Sequence, residues 1–404
     1  MSIDNDCNLK LKLIKRTLEL AKRGLGGVSP NPMVGAVLVN KDGEVIGEGY
    51  HKQYGGPHAE VLAIESVGRD VTLEDATLYC SLEPCSHTNK QTPPCTDLII
   101  QKKIKRVVVA TLDPNPAVSG RGLAKLRESG IDVDLLNENS DCEEERNLSV
   151  EAHKLNEVFF KFISKQQPFV HLKWAQTLDG RVATKTYDAK WISSEEMRIE
   201  GHKLRLTYDA ILVGVNTLIK DNPKLDVRYS LLEERKRQDD VCARNPIRVV
   251  VGNIAKLERE ITDFNIFSDE LAEKTIIFTP RIESHRFIKI IEQRLKSEKK
   301  GPKFFELDVD VNKGRIDLHQ VLKKLAELKI SSLLVEGGPT IITSFLREKL
   351  FDKLSVFLAP KILGEGINSV GELNILKMSD SMNLKIEEIK RIDDQIMISL
   401  QGCD

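Results

Sequence analysis

The sequence predicts two successive α/β domains, and three observations carry that prediction. The chain has 404 residues, more than one hydrophobic core usually organises. Its first part alternates short β-like runs with helical spacings, the pattern of a three-layer α/β/α sheet. The alternation breaks at the acidic stretch Asn139 to Arg146 and resumes near Pro168. The expected organisation is a first domain over residues 1–146, a helical linker over 147–167 and a second α/β domain over 168–404.

The elements follow in order. Leu9 to Arg23 has helical spacing. Val34 to Val39 and Glu44 to Tyr50 read as strands joined by the turn Lys41-Asp42-Gly43. His58 to Val67 is helical, Leu78 to Ser81 a short strand, and Cys95 to Gln101 a helix leading into the strand Arg106 to Thr111. Leu123 to Ser129 is a helix closed by Gly130, and Ile131 to Leu135 is a strand. Glu151 to Ser164 is expected as one helix with an aromatic end. Strands of the second domain are expected at Phe169 to Ala175, Ala210 to Val213, Ile247 to Val251, Thr275 to Phe278, Ser332 to Val335 and Leu354 to Leu358. Helices between them include Ser194 to Leu206 and Asp317 to Leu328, while Leu232 to Arg244 reads as a solvated charged segment.

A net charge of -1 gives no chain-wide cationic field to draw the protein onto nucleic acid or an anionic membrane. No apolar run is long enough to span a bilayer, and the polar N-terminus lacks the apolar stretch of a signal peptide. The expected location is the cytoplasm. Seven scattered cysteines, an odd number, do not form a disulfide framework. Only Cys85 and Cys95 have neighbours that suggest chemistry.

Those neighbours are Pro57-His58-Ala59-Glu60, then Glu83-Pro84-Cys85, then Pro94-Cys95. A catalytic zinc takes three protein ligands and keeps a fourth position open, and His58, Cys85 and Cys95 supply three. Such a metal makes a nucleophile of water near neutral pH. Glu60 stands two residues from the histidine and is free to move protons between water, ring and leaving ammonia. An HxE element followed by a PC element with a second cysteine is the pattern of zinc nucleobase deaminases. His87, two residues after Cys85, is either a competing ligand or a loop residue facing substrate.

The spacing separates deaminases from one another. Cytidine and tRNA adenosine deaminases carry PCxxC, whereas nine residues lie between Cys85 and Cys95. Glu83-Pro84-Cys85-Ser86-His87-Thr88 with Thr92-Pro93-Pro94-Cys95 closely resembles the bifunctional riboflavin-biosynthesis deaminase-reductase family. So do Pro30-Asn31-Pro32-Met33-Val34-Gly35-Ala36, Gly49-Tyr50-His51, Gly55-Gly56-Pro57-His58-Ala59-Glu60 and Asp113-Pro114-Asn115-Pro116. The resemblance implies a cytidine-deaminase-like first domain that hydrolyses the 2-amino group of a diaminopyrimidine bearing a phosphoribosylamino group. It implies His58, Cys85 and Cys95 as zinc ligands, Glu60 as proton shuttle, and Asn31, His51 and His87 as substrate contacts. The family usually places eight residues between the two cysteines.

The second domain has no GxGxxG fingerprint. Val335-Glu336-Gly337-Gly338-Pro339-Thr340 instead follows a strand and opens a helix. There, backbone N–H groups and the helix N-terminus suit a phosphate, and a plain tight turn is the alternative. Lys173 to Gly180, Lys190-Trp191-Ile192-Ser193, Ala210 to Gly214 and Asp221-Asn222-Pro223 extend the family resemblance. It implies a dihydrofolate-reductase-like domain using NADPH. Ala175, Trp191, Thr217, Asp221 and the run Gly338, Pro339, Thr340, Ile341, Ile342, Thr343 and Ser344 would contact the cofactor. Arg205, Leu225, Arg228 and Glu336 would contact substrate, with arginine suited to its phosphate. Lys173 would stand beside the ribose carbon that receives hydride. Ala189 and Gln176 replace residues more usual in the family.

The expected partners are small phosphoribosyl pyrimidines, with no nucleic acid and no membrane, and the resemblance implies a homo-oligomer, dimer or tetramer. The competing readings are a nucleic-acid base deaminase with an accessory domain and a non-enzymatic protein on a deaminase scaffold.

Overall fold

The computed structural model describes residues 3–68, 71–86, 93–115, 119–232, 244–257, 263–281, 285, 287–289, 291, 301–310 and 314–402. They form two compact units, one over Met1–Gln166 and one beginning at Gln167.

The first unit is built on five strands: β1 Gly35–Val39, β2 Val45–Tyr50, β3 Thr77–Cys80, β4 Arg106–Val109 and β5 Asp132–Leu135. Their order is β2-β1-β3-β4-β5, with β1 antiparallel to both neighbours and β3, β4 and β5 parallel. Every residue of β1 is buried, so both faces of the sheet are covered. Strand alternation divides them. Ala36 and Leu38 pack with helices α2 Ala59–Glu65, α3 Cys95–Gln101 and α4 Arg121–Glu128. Val37 and Val39 pack with α1 Ile3–Lys22 and α5 Glu143–Leu155. This is the three-layer arrangement that the sequence predicts.

The single helix expected over Glu151 to Ser164 is two, α5 and α6 Glu157–Lys165, with Asn156 between them. The Asn156 side chain accepts from Met33 N at 2.8 Å and donates to Met33 O at 2.9 Å. A buried amide committed to another segment's main chain explains the break. The acidic stretch expected as a connection supplies Glu143, Glu144 and Glu145 to the first turn of α5, where the helix dipole favours negative charge. Residues 147–166, expected as a linker, fold within the first unit.

The second unit holds a nine-stranded sheet. Seven strands are parallel, in the order β11 Lys303–Leu307, β10 Thr275–Pro280, β9 Ile247–Val251, β8 Ala210–Gly214, β14 Ser332–Glu336, β6 Phe169–Thr177 and β15 Lys353–Ala359. An antiparallel hairpin, β17 Leu384–Ile392 and β18 Gln395–Gly402, adds to β15. One face packs on helices α10 Leu318–Glu327 and α11 Pro339–Arg347. On the other lies α7 Glu195–Thr207, through Met197 against Phe357 and Met397. Ser194 caps α7 by accepting from Met197 N, and Asp317 caps α10 by accepting from His319 N.

His171 on β6 is buried between the Tyr208 hydroxyl and Ser355 Oγ, the latter at 2.8 Å. Burial, helped by the nearby Lys353 charge, pushes its pKa down to about 3. An unfolded histidine titrates near 6.5. Between those values the unfolded chain therefore binds a proton that the folded chain refuses, and stability falls as pH drops. Urea unfolding followed from pH 7 to pH 4 should show a loss from this residue of about 1.4 kcal/mol per pH unit once below 6.5. A His171→Gln variant should have a shallower slope; an unchanged slope contradicts the assignment.

Candidate active site

In the first unit three segments converge. His58 is the N-cap of α2, so the first turn begins at Ala59 and carries Glu60 inward. Helix α2 lies close on β2: a Cβ on Gly49 would stand 2.4 Å from Ala63 N. Cys85 follows β3, and Cys95 opens α3 just after Pro94. His58 Nδ1 lies 3.2 Å from Cys95 Sγ and 3.5 Å from Cys85 Sγ, and the three donor atoms all lie within 4.8 Å of one another. Tetrahedral zinc at ordinary Zn–N and Zn–S lengths separates N from S by about 3.5 Å, so this donor set fits the ion.

The electrostatics suit a cation. A hydrogen bond from Cys95 and then contact with His58 hold Cys85 well below the usual thiol range, despite burial. Cys95, beside an existing thiolate and buried, is pushed up. Glu60 is 3% exposed, and burial raises its carboxyl above the ordinary range.

His58, Glu60 and Cys85 line a cavity of about 250 Å³ together with Asn31 and His51. His51 Nδ1 donates to Pro57 O at 2.9 Å, which leaves Nε2 to accept from Asn31 Nδ2 at 3.2 Å. The tautomer follows from the carbonyl partner. His87 lies outside the described residues. Phe159 and Ile163 of α6 and Asp113 and Asn115 also line the cavity. Sequence reasoning gave these four no role, although Asp113 and Asn115 stand in a quoted motif and Phe159 in a noted aromatic run.

In the second unit a cleft of about 1160 Å³ opens along the carboxyl ends of the parallel strands. This is where ligands of open α/β sheets bind. Lys173 on β6 is paired in register with Glu336 at the end of β14, and their charged atoms are 3.8 Å apart. Arg205 from α7 grips the same carboxylate with both Nε and Nη2, at 2.9 and 3.0 Å, and donates to Asp226 O at 2.8 Å. Burial would raise Glu336, but Arg205 and Lys173 outweigh it and hold it down to about 2. Burial lowers Lys173, whose Nζ sits 4.5 Å from the Phe357 ring centre.

Along the cleft, Gly338 N donates to Thr217 Oγ1 at 3.1 Å and caps α11, with Pro339 in the first turn. A Cβ on Gly337 would meet Ile341 Cγ2 at 2.0 Å, so only glycine leaves this turn open. Ala175, Asp221, Leu225, Thr340, Ile341 and Ser344 also line the cleft. Leu225 is 2% exposed at a φ of 53°.

Four expected contacts are not among the residues lining this cleft. Ile342 is in the hydrophobic core, and Thr343 Oγ1 donates to Pro339 O. Helical periodicity explains both, because Ile341 and Ser344 share the face that looks onto the cleft. Trp191 is 61% exposed with the Arg198 guanidinium 4.4 Å from its ring centre, and Arg228 is exposed. Conversely, Asn253, Lys256 and Arg315 line the cleft without having been expected. The departure Gln176 accepts from Trp174 Nε1 at 2.8 Å.

A deaminase-type metal centre on one sheet and a nucleotide-type cleft on another define a two-site enzyme, a deaminase joined to a reductase. Comparison with known proteins agrees. The family model described as the cytidine and deoxycytidylate deaminase zinc-binding region matches residues 8–111, and the RibD C-terminal domain matches 168–398. The riboflavin biosynthesis protein RibD of Aquifex aeolicus is 43% identical over 385 residues, covering 95% of this chain and 96% of that one. RibD of Escherichia coli is 35% identical, covering 96% and 98%. Among solved structures, a diaminohydroxyphosphoribosylaminopyrimidine deaminase/5-amino-6-(5-phosphoribosylamino)uracil reductase from Thermotoga maritima superposes with a TM-score of 0.78 at 35% identity, covering 98% and 99%. Acinetobacter baumannii RibD gives 0.80 at 30% identity, covering 98% and 99%. The chain belongs to the RibD family of bifunctional riboflavin-biosynthesis deaminase-reductases.

Proposed function

We propose that the first site removes the 2-amino group of 2,5-diamino-6-(5-phosphoribosylamino)pyrimidin-4(3H)-one by hydrolysis. The second then reduces the ribosyl group of the resulting 5-amino-6-(5-phosphoribosylamino)uracil to ribityl with NADPH. The observation that carries this reading is the cluster of one imidazole and two thiols, His58, Cys85 and Cys95, beside a cavity of about 250 Å³ that His58, Cys85 and the buried Glu60 line. His58, Cys85 and Cys95 would hold zinc, which supplies a water reactive near neutral pH. Glu60 would take one proton from water and pass it to the ring, then take the second from the added hydroxyl and pass it to the departing amine, so a C–N bond breaks, a C–O bond forms and ammonia leaves. The Asn31–His51 pair orients the pyrimidine at the mouth.

In the second site NADPH supplies hydride chemistry, and the chain supplies binding and orientation. Gly337, Gly338 and the start of α11 suit the cofactor's phosphates. Lys220, Lys256 and Arg315 make the cleft attractive to a polyanion. Arg205 is committed to Glu336, so we read it as orienting that carboxylate toward the ribityl hydroxyls. The phosphate of the substrate then falls to other cations, the exposed Arg228 among them.

We place the enzyme in the cytoplasm as a homodimer or homotetramer. The five described cysteines are free thiols, no described helix is long and apolar enough to cross a membrane, and β17 exposes Ile386 and Ile389 at a sheet edge. One experiment tests the whole: supply the diaminopyrimidine to protein of known sedimentation mass, then follow ammonia release and NADPH absorbance separately. Both signals are expected, ammonia first. NADPH left untouched by the deaminated product contradicts the reductase assignment.

A further inference from the structure

Glu83 precedes Cys85 by two residues, and the chemistry above gives it no part. It is 4% exposed, and a buried carboxylate must be compensated. Among the described residues no lysine or arginine forms an ion pair with it. Main-chain donors meet it instead. Glu83 Oε2 accepts from Gly120 N at 3.0 Å and from Asp113 N at 3.3 Å, and Oε1 accepts from Gly122 N at 2.9 Å. Glu83 N in turn donates to Thr111 O at 3.0 Å.

These bonds join two walls of one cavity. On one side is the segment that carries Cys85. On the other, Asp113 Oδ1 accepts from Asn115 N at 2.8 Å, and Asp113, Asn115, Glu60 and Cys85 all line the same cavity. The junction has no slack: a Cβ on Gly122 would stand 2.4 Å from Pro84 O and 3.0 Å from Glu83 Oε1.

We propose that Glu83 is a positioning residue for deamination, setting the Asp113–Asn115 wall against the metal-ligand segment so that the pyrimidine seats beside Glu60. This rests on the substrate assigned above. A purely structural staple would alter stability and leave substrate affinity alone, which separates the two roles.

The test uses the full chain loaded with one equivalent of zinc. Glu83→Gln keeps the side chain's size but turns an NH2 toward a main-chain N–H. Its deaminase KM for the diaminopyrimidine should rise about tenfold or more, a change expected when a buried pairing is lost. Its kcat should change by less than about threefold, with zinc content and reductase kinetics as in the parent. Asp113→Ala, which removes the acceptor of Asn115 N, should raise KM in the same way. The double variant should be no worse than the stronger single, as for residues acting through one contact. Unchanged KM in either single variant overturns the proposal, as do additive effects in the double. If Glu83→Gln fails to fold, the KM of Asp113→Ala decides the question. Absence of ammonia release from the parent enzyme would instead refute the substrate assignment.

Discussion

Glu60→Gln should lower deaminase kcat by about 10²- to 10⁴-fold while the protein keeps its zinc and its reductase rate. The size follows from the general acid-base contribution, roughly 10² to 10⁴. The glutamine is isosteric and cannot cycle a proton. Glu60 sits in the first turn of α2, 3% exposed, and burial raises its carboxyl. It is thereby a better proton carrier than an exposed glutamate. Steady-state ammonia release with metal analysis of the same sample measures this. Substantial activity in a zinc-replete variant would remove Glu60 from the proton path.

Lys173→Met should lower reductase kcat by about 10² to 10³-fold, the usual cost of losing a preorganised charge beside the reacting atoms. Deamination should be unchanged. Methionine fills the space over Phe357 and leaves the two-pronged grip of Arg205 on Glu336 intact. NADPH affinity, measured by fluorescence titration, should move by no more than about threefold, because the role proposed for Lys173 is toward substrate. A variant that still reduces the uracil at near the parent rate would reassign Lys173 to structural pairing with Glu336.

The His58, Cys85 and Cys95 cluster was legible because metal chemistry restricts the residue types that suit it. Few residue types bind the ion, and His58, Cys85 and Cys95 each stand beside a proline or glutamate that marks a helix start or turn. The buried parallel strands were legible for a similar reason. Ile247–Val251 reads IRVVV and is paired on both sides. The hairpin strand Leu384–Ile392 reads LKIEEIKRI, is mostly exposed, and carries no period that burial would impose. It was therefore missed, and so was its partner β18.

Sequence by itself determined the two α/β domains, the candidate metal cluster of His58, Cys85 and Cys95 and the glycine turn after β14, because hydrophobic period, ligand type and backbone freedom are local properties of residues. Tertiary structure alone decided that Asn156 splits a helix to pair with Met33, that Arg205 is spent on Glu336, and that α6 walls the deaminase cavity. Each of these depends on a contact between segments far apart in the chain. A side chain's partner across more than a hundred residues is fixed by packing, and no spacing along the sequence encodes it.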